Sequence, residues 1–217
     1  MLHVSGEGVT ENMIKNIIFD MGNVLIYFNR DVFLDRVGLK DPDDRELLKR
    51  EVYLSLEWSR MDRGSLTDEE ASEIIAQRVP ERLREAVNRL VGEWDRPILP
   101  IPGMEQLIRE LKANGYGIYL LSNASVRQHA YWPKVPAFDL FDGTLISADV
   151  HLVKPQPEIY ELMCSTFSLR REECVFIDDA TPNAEGAFFV GMPAIVFHDD
   201  VRELRNKLRA LGVRCEP

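Results

Sequence analysis

The sequence predicts an α/β fold: a parallel β-sheet with helices on both faces, interrupted early by a block of helices alone. Short apolar runs of strand length alternate with helix-periodic segments over most of the chain, the pattern of strand–helix–strand crossovers. One stretch, about Asp31 to Asp95, holds no convincing strand and is rich in Leu, Arg and Glu. A third observation gives the sheet a direction. The first run, Asn16-Ile17-Ile18-Phe19, leads into Asp20-Met21-Gly22-Asn23-Val24-Leu25. An apolar run ending in an acid delivers that side chain to the C-terminal edge, where open α/β sheets bind ligands.

The expected strands are Ile14–Asp20, Gly117–Ser122, Gly143–Ser147, Cys174–Asp178 and Ala194–Phe197. Met104–Lys112 reads as a helix because Met104, Leu107, Ile108 and Leu111 fall on one face. Pro157–Phe167, Asn183–Val190 and Asp200–Leu211 are further helices, and Gly115, Gly191 and Gly212 stand where C-terminal caps belong. In the strand-free stretch, helical patterns fit Arg30–Val37, Asp43–Ser59, Asp68–Gln77 and Pro80–Trp94. Thr67-Asp68-Glu69-Glu70 is a capping-box signal for the third. Four helices in this position predict a cap of residues 31–95 over a core of residues 13–30 and 96–217, with Pro97, Pro100 and Pro102 marking the return. Residues 1–12, polar and glycine-containing, read as a flexible leader.

With 217 residues, 45% of them hydrophobic, the chain can bury a full core. Its 26 basic and 36 acidic residues leave a net charge of -10, which argues against nucleic acid or an anionic membrane as partner. An anionic substrate must then be held by local positive groups. Cys164, Cys174 and Cys215 form no metal-binding or disulfide spacing, and no apolar run approaches the ~20 residues that span a bilayer. The expectation is a reduced, cytoplasmic protein; oligomeric state stays open.

Three more features fall at strand ends or on the loops after them. Strand two runs into Ser122-Asn123, strand four into Asp178-Asp179 with Asn183 four residues later, and Lys154 opens Lys154-Pro155-Gln156-Pro157-Glu158-Ile159-Tyr160. Each alone has a plain structural reading: a turn, a surface charge or a helix cap. A parallel sheet brings them to one edge. Carboxylates crowded there repel by roughly 4 kcal/mol per pair at ~4 Å and an effective dielectric of ~20. A hard divalent cation with oxygen ligands relieves this, and Mg²⁺ suits such a site. Metal, lysine and hydroxyl together can hold a phosphoryl group beside a carboxylate nucleophile.

In these four motifs, from about Met13 to the C-terminus, the chain resembles haloacid dehalogenase superfamily hydrolases. Within the superfamily the motifs resemble a bacterial group that contains sugar-phosphate phosphatases, and they are also similar to the N-terminal phosphatase domain of soluble epoxide hydrolase. The resemblance implies a Rossmann-like core with a cap inserted after strand one. It implies a Mg²⁺-dependent phosphatase acting on a small phosphorylated metabolite, a sugar phosphate above all. Asp20 would be the nucleophile, Ser122 and the Asn123 backbone or amide would hold phosphoryl oxygens, and Lys154 would bridge nucleophile and phosphate. Asp179 would ligate the metal directly, Asp178 through water, and Asn183 would orient the loop.

One position departs from the pattern. Most phosphatases of the superfamily carry a second aspartate, an acid and base, where this chain has Gly22. Gly22 still offers a carbonyl to the metal but no proton, a loss worth about 10²–10⁴-fold. Water, the substrate, Glu57 or Asp62 could substitute. The stretch from Glu57 to Thr67 resembles the substrate-facing loop of such caps, with Glu57 and Trp58 reading sugar hydroxyls and stacking on a ring. His129, Tyr131 and Trp132 are further candidates for the cleft. Two rival readings are a metal-free 2-haloacid dehalogenase, disfavoured by Asp178-Asp179, and a non-catalytic binding or regulatory protein that lost its acid at Gly22.

Overall fold

The computed structural model describes residues 13–216, so the expected leader at 1–12 lies outside the described residues. Five strands, β1 (Asn16–Phe19), β2 (Gly117–Ser122), β3 (Gly143–Ile146), β4 (Cys174–Asp178) and β5 (Ala194–Val196), form one sheet in the order β3-β2-β1-β4-β5. All four pairings are parallel. The fold class is the expected one. β1 is central, and chain order reverses on either side of it, so the crevice of a doubly wound sheet opens at its end.

Alternation along β1 splits the core. Ile17 and Phe19 enter one apolar cluster with Leu107, Leu120 and Leu204, while Ile18 enters the opposite one with Tyr160, Met163 and Phe176. Burial on both faces explains why the strands read as continuous apolar runs.

Between β1 and β2 the chain forms α1 (Arg30–Arg36), α2 (Pro42–Leu48), α3 (Leu56–Asp62), α4 (Asp68–Ala76) and α5 (Arg84–Gly92). Asn29, Asp41 and Ser55 cap α1, α2 and α3 through side-chain oxygens, and the Thr67–Glu70 capping box on α4 is complete in both directions. The single helix expected over Asp43–Ser59 is two. A π-helical turn over Lys49–Tyr53 ends α2, and Ser55 divides it from α3. Its hydroxyl donates to the Val52 carbonyl (2.7 Å) and accepts from the Trp58 N–H (3.1 Å), closing one helix and opening the next. Likewise Pro80–Trp94 is a 3₁₀ turn at Glu81–Leu83 followed by α5, which stops before Trp94.

These helices have their own apolar cluster, around Phe33, Leu34, Leu48, Val52, Ile75 and Val87. Trp94 packs against both this cluster and the sheet's. The outgoing and returning chain lie side by side. The Tyr27 N–H donates to the Leu99 carbonyl (2.8 Å) and the Ile101 N–H to the Leu25 carbonyl (3.0 Å).

After the return come α6 (Met104–Ala113), α7 (Gln128–Tyr131), α8 (Ser147–Val150), α9 (Pro157–Thr166), α10 (Thr181–Phe189) and α11 (Val201–Ala210). Gly115, Gly191 and Gly212 take left-handed φ of 87°, 85° and 80° just past α6, α10 and α11, as C-terminal caps do. No helix among the described residues is long and apolar enough to cross a membrane.

Candidate active site

The register of β1 against β4 pairs Phe19 with Ile177, and the Asp20 N–H donates to the Ile177 carbonyl (2.8 Å). Asp20 therefore ends β1 level with Asp178. Lys154, from the loop after β3 and α8, reaches between them. Its Nζ lies 2.7 Å from Asp20 Oδ1, 2.6 Å from Asp178 Oδ2 and 3.1 Å from the Leu121 carbonyl. The ammonium also sits 5.2 Å from the centre of the Phe176 ring. Asp20, Lys154 and Asp178 are all buried.

Removing one member of a buried ion cluster strands its partner at a cost of about 3–5 kcal/mol. Burial alone would lower Lys154, but Asp20 and Asp178 outweigh it and hold the ammonium above its usual value. Burial first, with Asp178 adding to it and Lys154 opposing, pushes the Asp20 carboxyl up to about 7. One lysine does not balance three acids.

Asp20, Asp178 and Asp179 each offer an oxygen, and these atoms lie within 4.8 Å of one another. The donor set is all hard oxygen, which fits Mg²⁺. The three differ in freedom. Asp178 Oδ1 accepts from the Ala180 N–H (2.8 Å), and both its oxygens accept from Asn183 Nδ2 (3.1 Å each). With Lys154 on Oδ2, Asp178 is committed to its neighbours. Asp179 lines the cavity, and among the described residues only its Oδ2 is engaged, by Asn23 Nδ2 at 3.0 Å. Gly22 lines the same cavity.

Asn23 did not stand out in the sequence. It adopts a left-handed φ of 53°, tolerable for asparagine, and its Oδ1 accepts from the Phe28 N–H (3.0 Å) while its amide aims Asp179. The Asp-x-Gly-Asn spacing was the available signal. Tyr160, in the lysine motif, donates to the Asn183 carbonyl (2.7 Å) and so supports the loop after β4.

Ser122 ends β2, buried at the cavity wall. Asn123 is placed differently from one expectation. Its side-chain amide donates to the Lys154 carbonyl (3.0 Å) and its oxygen accepts from the Lys154 N–H (2.8 Å). This clamp fixes the lysine loop to β2 and leaves the backbone N–H of Asn123 as its donor for an anion.

The cavity, about 180 Å³, is roofed by the helices between β1 and β2. Phe28, Trp58, Met61, Val91, Trp94 and Tyr131 supply its apolar lining, and Asp62 and Asp68 its carboxylates on that side. Trp58 and Tyr131 line it as expected. Glu57 does not: it is buried and held bidentately by Arg78, at 2.9 and 2.6 Å. The helix that points Trp58 and Met61 inward turns Glu57 away, correcting its expected role toward substrate. His129 pairs at 3.0 Å with exposed Asp149, and Trp132 packs on Phe141, so neither lines the cavity.

Burial first, then the charge of Asp20, push Asp62 up to about 7, with Lys154 pulling down. Asp68 is also raised by burial, against Ser125 and Arg127. Its Oδ1 is buried without a hydrogen-bond partner among the described residues.

The sheet order, the helical insertion after β1 and the Asp–Lys–Asp cluster at the sheet's edge define the class, a doubly wound α/β protein with an acid–lysine site at the C-terminal edge of its sheet. Residues 14–191 match the family described as hydrolase, haloacid dehalogenase-like hydrolase, and the chain belongs to that family. A sesquiterpene phosphatase of Aspergillus oryzae is 27% identical over 91% of this chain and 97% of its own length. A D-ribitol-5-phosphate phosphatase of Bacteroides thetaiotaomicron is 27% identical over 79% of this chain and 85% of its own. Among solved structures, a family enzyme from Bacteroides thetaiotaomicron in complex with magnesium and inorganic phosphate superposes with a TM-score of 0.64. It is 22% identical, and the match covers 88% of this chain and 98% of that one.

Proposed function

We propose that the protein is a Mg²⁺-dependent phosphatase that hydrolyses a small phosphorylated metabolite through an aspartyl-phosphate on Asp20. The observation that carries this is the salt-bridged Lys154, 2.7 Å from Asp20 and 2.6 Å from Asp178, in the wall of the cavity. Asp20, Asp179 and the Gly22 carbonyl would hold the metal, with Asp178 behind them. Bound there, Mg²⁺ would neutralise charge on the carboxylates and the phosphoryl oxygens.

Asp20 attacks phosphorus in line with the ester oxygen, forming the acyl phosphate as the organic group leaves toward the helical side. Ser122 Oγ and the Asn123 N–H hold phosphoryl oxygens, and the Lys154 ammonium compensates the charge that develops. Water then attacks the phosphoenzyme, releasing inorganic phosphate and restoring Asp20. In this reading residues 31–95 are a cap over a core of 13–30 and 96–217, and the cap opens for substrate and closes to exclude bulk water.

The aromatic lining supports a substrate whose organic part has an apolar face. The sesquiterpene phosphatase relative agrees with that chemistry. A sugar or polyol phosphate is the second reading, favoured by the unpartnered Asp68 Oδ1, an acceptor for a hydroxyl, and by the ribitol-phosphate relative.

The test is phosphate release from p-nitrophenyl phosphate and from a panel of prenyl, sugar and nucleotide monophosphates, with Mg²⁺ and with EDTA. Wild type should turn over only with metal, and Asp20→Asn should be inactive. Activity that survives either change overturns the reading. Halide release from a 2-haloacid without metal would replace it with the dehalogenase.

A further inference from the structure

We infer that the Asp62 carboxyl is the proton carrier of this site, giving its proton to the departing ester oxygen and taking one from the attacking water. The inference rests on the phosphatase reading above. Hydrolysis of an alkyl phosphate needs such a group, because an alkoxide is too basic to leave unprotonated. At Gly22, beside the nucleophile, there is no side chain to serve.

The cavity wall offers few alternatives. Asp20 and Asp179 are committed to phosphorus and metal, and Lys154 is pinned as an ammonium between two carboxylates. Burial raises Tyr131 well above its usual value, so it holds its proton. Asp68 stands beside the Arg127 guanidinium, at 3.8 Å, which favours its charged form. Asp62 is left. It lines the cavity from the helical side, near enough to Asp20 to feel its charge. Its carboxylate carries no hydrogen bond or ion pair among the described residues.

Its backbone is held with unusual firmness. Ser147 Oγ, fully buried, donates to the Asp62 carbonyl at 2.5 Å while accepting from the Ala124 N–H at 2.9 Å. Ala124 follows Ser122 by two residues, so one hydroxyl ties Asp62 to the strand end that would bind phosphate. The Arg63 carbonyl lies 3.0 Å from His151 Nδ1, and Gly64 packs directly on the Ala148 carbonyl. The C-terminal end of α3 is thus docked on α8, and docking sets where the Asp62 carboxylate stands. A proton carrier needs that precision, whereas a lining residue does not.

The bonds balance. In the first step the Asp20 Oδ–P bond forms, the ester P–O bond breaks, and the Asp62 proton moves to the ester oxygen, which leaves as an alcohol. In the second, water oxygen bonds phosphorus, one water proton returns to the Asp62 carboxylate, and the P–O bond to Asp20 breaks. Phosphate leaves, and both aspartates regain their starting states.

The experiment compares wild type, Asp62→Asn and Gly22→Asp/Asp62→Asn on p-nitrophenyl phosphate and on a matched series of aryl and alkyl phosphates. Asp62→Asn should lower kcat on alkyl phosphates about 10²–10⁴-fold, in the range for a lost acid–base group, and cost far less on p-nitrophenyl phosphate, whose leaving anion is stable. The dependence of rate on leaving-group basicity should steepen. A Cβ at Gly22 meets only Phe28 Cβ at 3.7 Å, an ordinary contact, so a side chain can start there and an aspartate should restore alkyl turnover in the double variant. Melting temperature and inhibition by inorganic phosphate show that Asp62→Asn is folded and still binds the product. Equal losses on all substrates, an unchanged slope, or no loss overturn the inference while leaving an Asp20-dependent phosphatase standing. A wild type with no Mg²⁺- and Asp20-dependent turnover overturns both.

Discussion

Gly64→Ala tests how the helical unit meets the sheet. Gly64 has a φ of +70°, and a Cβ there would fall 2.2 Å from the Ala148 carbonyl oxygen, 2.9 Å from its carbon and 3.0 Å from its Cα. The obstacle is backbone, which cannot swing aside. Reaching ordinary contact at 3.4 Å requires a retreat of about 1.2 Å, enough to break the 2.5 Å bond between Ser147 Oγ and the Asp62 carbonyl two residues away. The left-handed backbone costs a non-glycine residue about 1–2 kcal/mol, and the lost hydrogen bond about 1 kcal/mol more. For a chain of this size each kcal/mol lowers Tm by about 2–4 °C, so a fall of roughly 4–12 °C is expected. A displacement near 1 Å at reacting groups costs about 10²-fold in rate, and it should fall on kcat. Thermal melting and steady-state kinetics on an alkyl phosphate measure the two effects. Wild-type Tm together with wild-type kcat would refute the docked geometry as the determinant.

Two further outcomes follow from the side chains around the site. Arg78→Ala should destabilise the protein by about 1–3 kcal/mol, less than for a fully buried pair because Arg78 is partly exposed, with denaturant midpoints as the measure. The Arg78 hydrogen bonds, against the opposing effect of burial, lower Glu57 from its ordinary 4.5. Its contribution is therefore present above that pH and lost as pH falls through the lower folded value, and the variant should show a flatter acid limb. Asn23→Gly keeps the left-handed backbone and removes the amide that aims Asp179. The Mg²⁺ concentration for half-maximal activity should rise about 10–100-fold, as for lost outer-shell partners of a metal ligand, and a metal titration reads it. An unchanged requirement would sever Asn23 from the metal.

Much of the fold was legible because the physics is local. β2 and β4 begin and end at the expected residues, since apolar runs bounded by turn residues leave little choice. The capping box on α4 depends on four adjacent residues and appeared as read. Ser55 shows the limit. Its hydroxyl serves two helices at once, and nothing in a helical periodicity reveals that a serine will divide it. Glu57 shows another. Its partner Arg78 lies 21 residues away, so the sequence presents a free acid beside a tryptophan where the fold has a closed ion pair. The convergence of Asp20, Ser122, Lys154 and Asp178 was readable from topology. The clamp of Asn123 on Lys154 was not, because the lysine loop's path to β2 is a tertiary fact.

The paired chain segments at Leu25–Tyr27 and Leu99–Ile101 have a consequence for how this molecule can change. An insertion that departs and returns at neighbouring points adds little closure entropy however long it grows, since the cost rises only with the logarithm of its length. The roof can therefore be lengthened, shortened or exchanged while β1 keeps its register between β2 and β4. Asp20, Lys154, Asp178 and Asp179 stay with the sheet, whereas Asp62 travels with the roof, so on the reading proposed above a lineage that exchanged the roof would have to keep or replace its proton carrier.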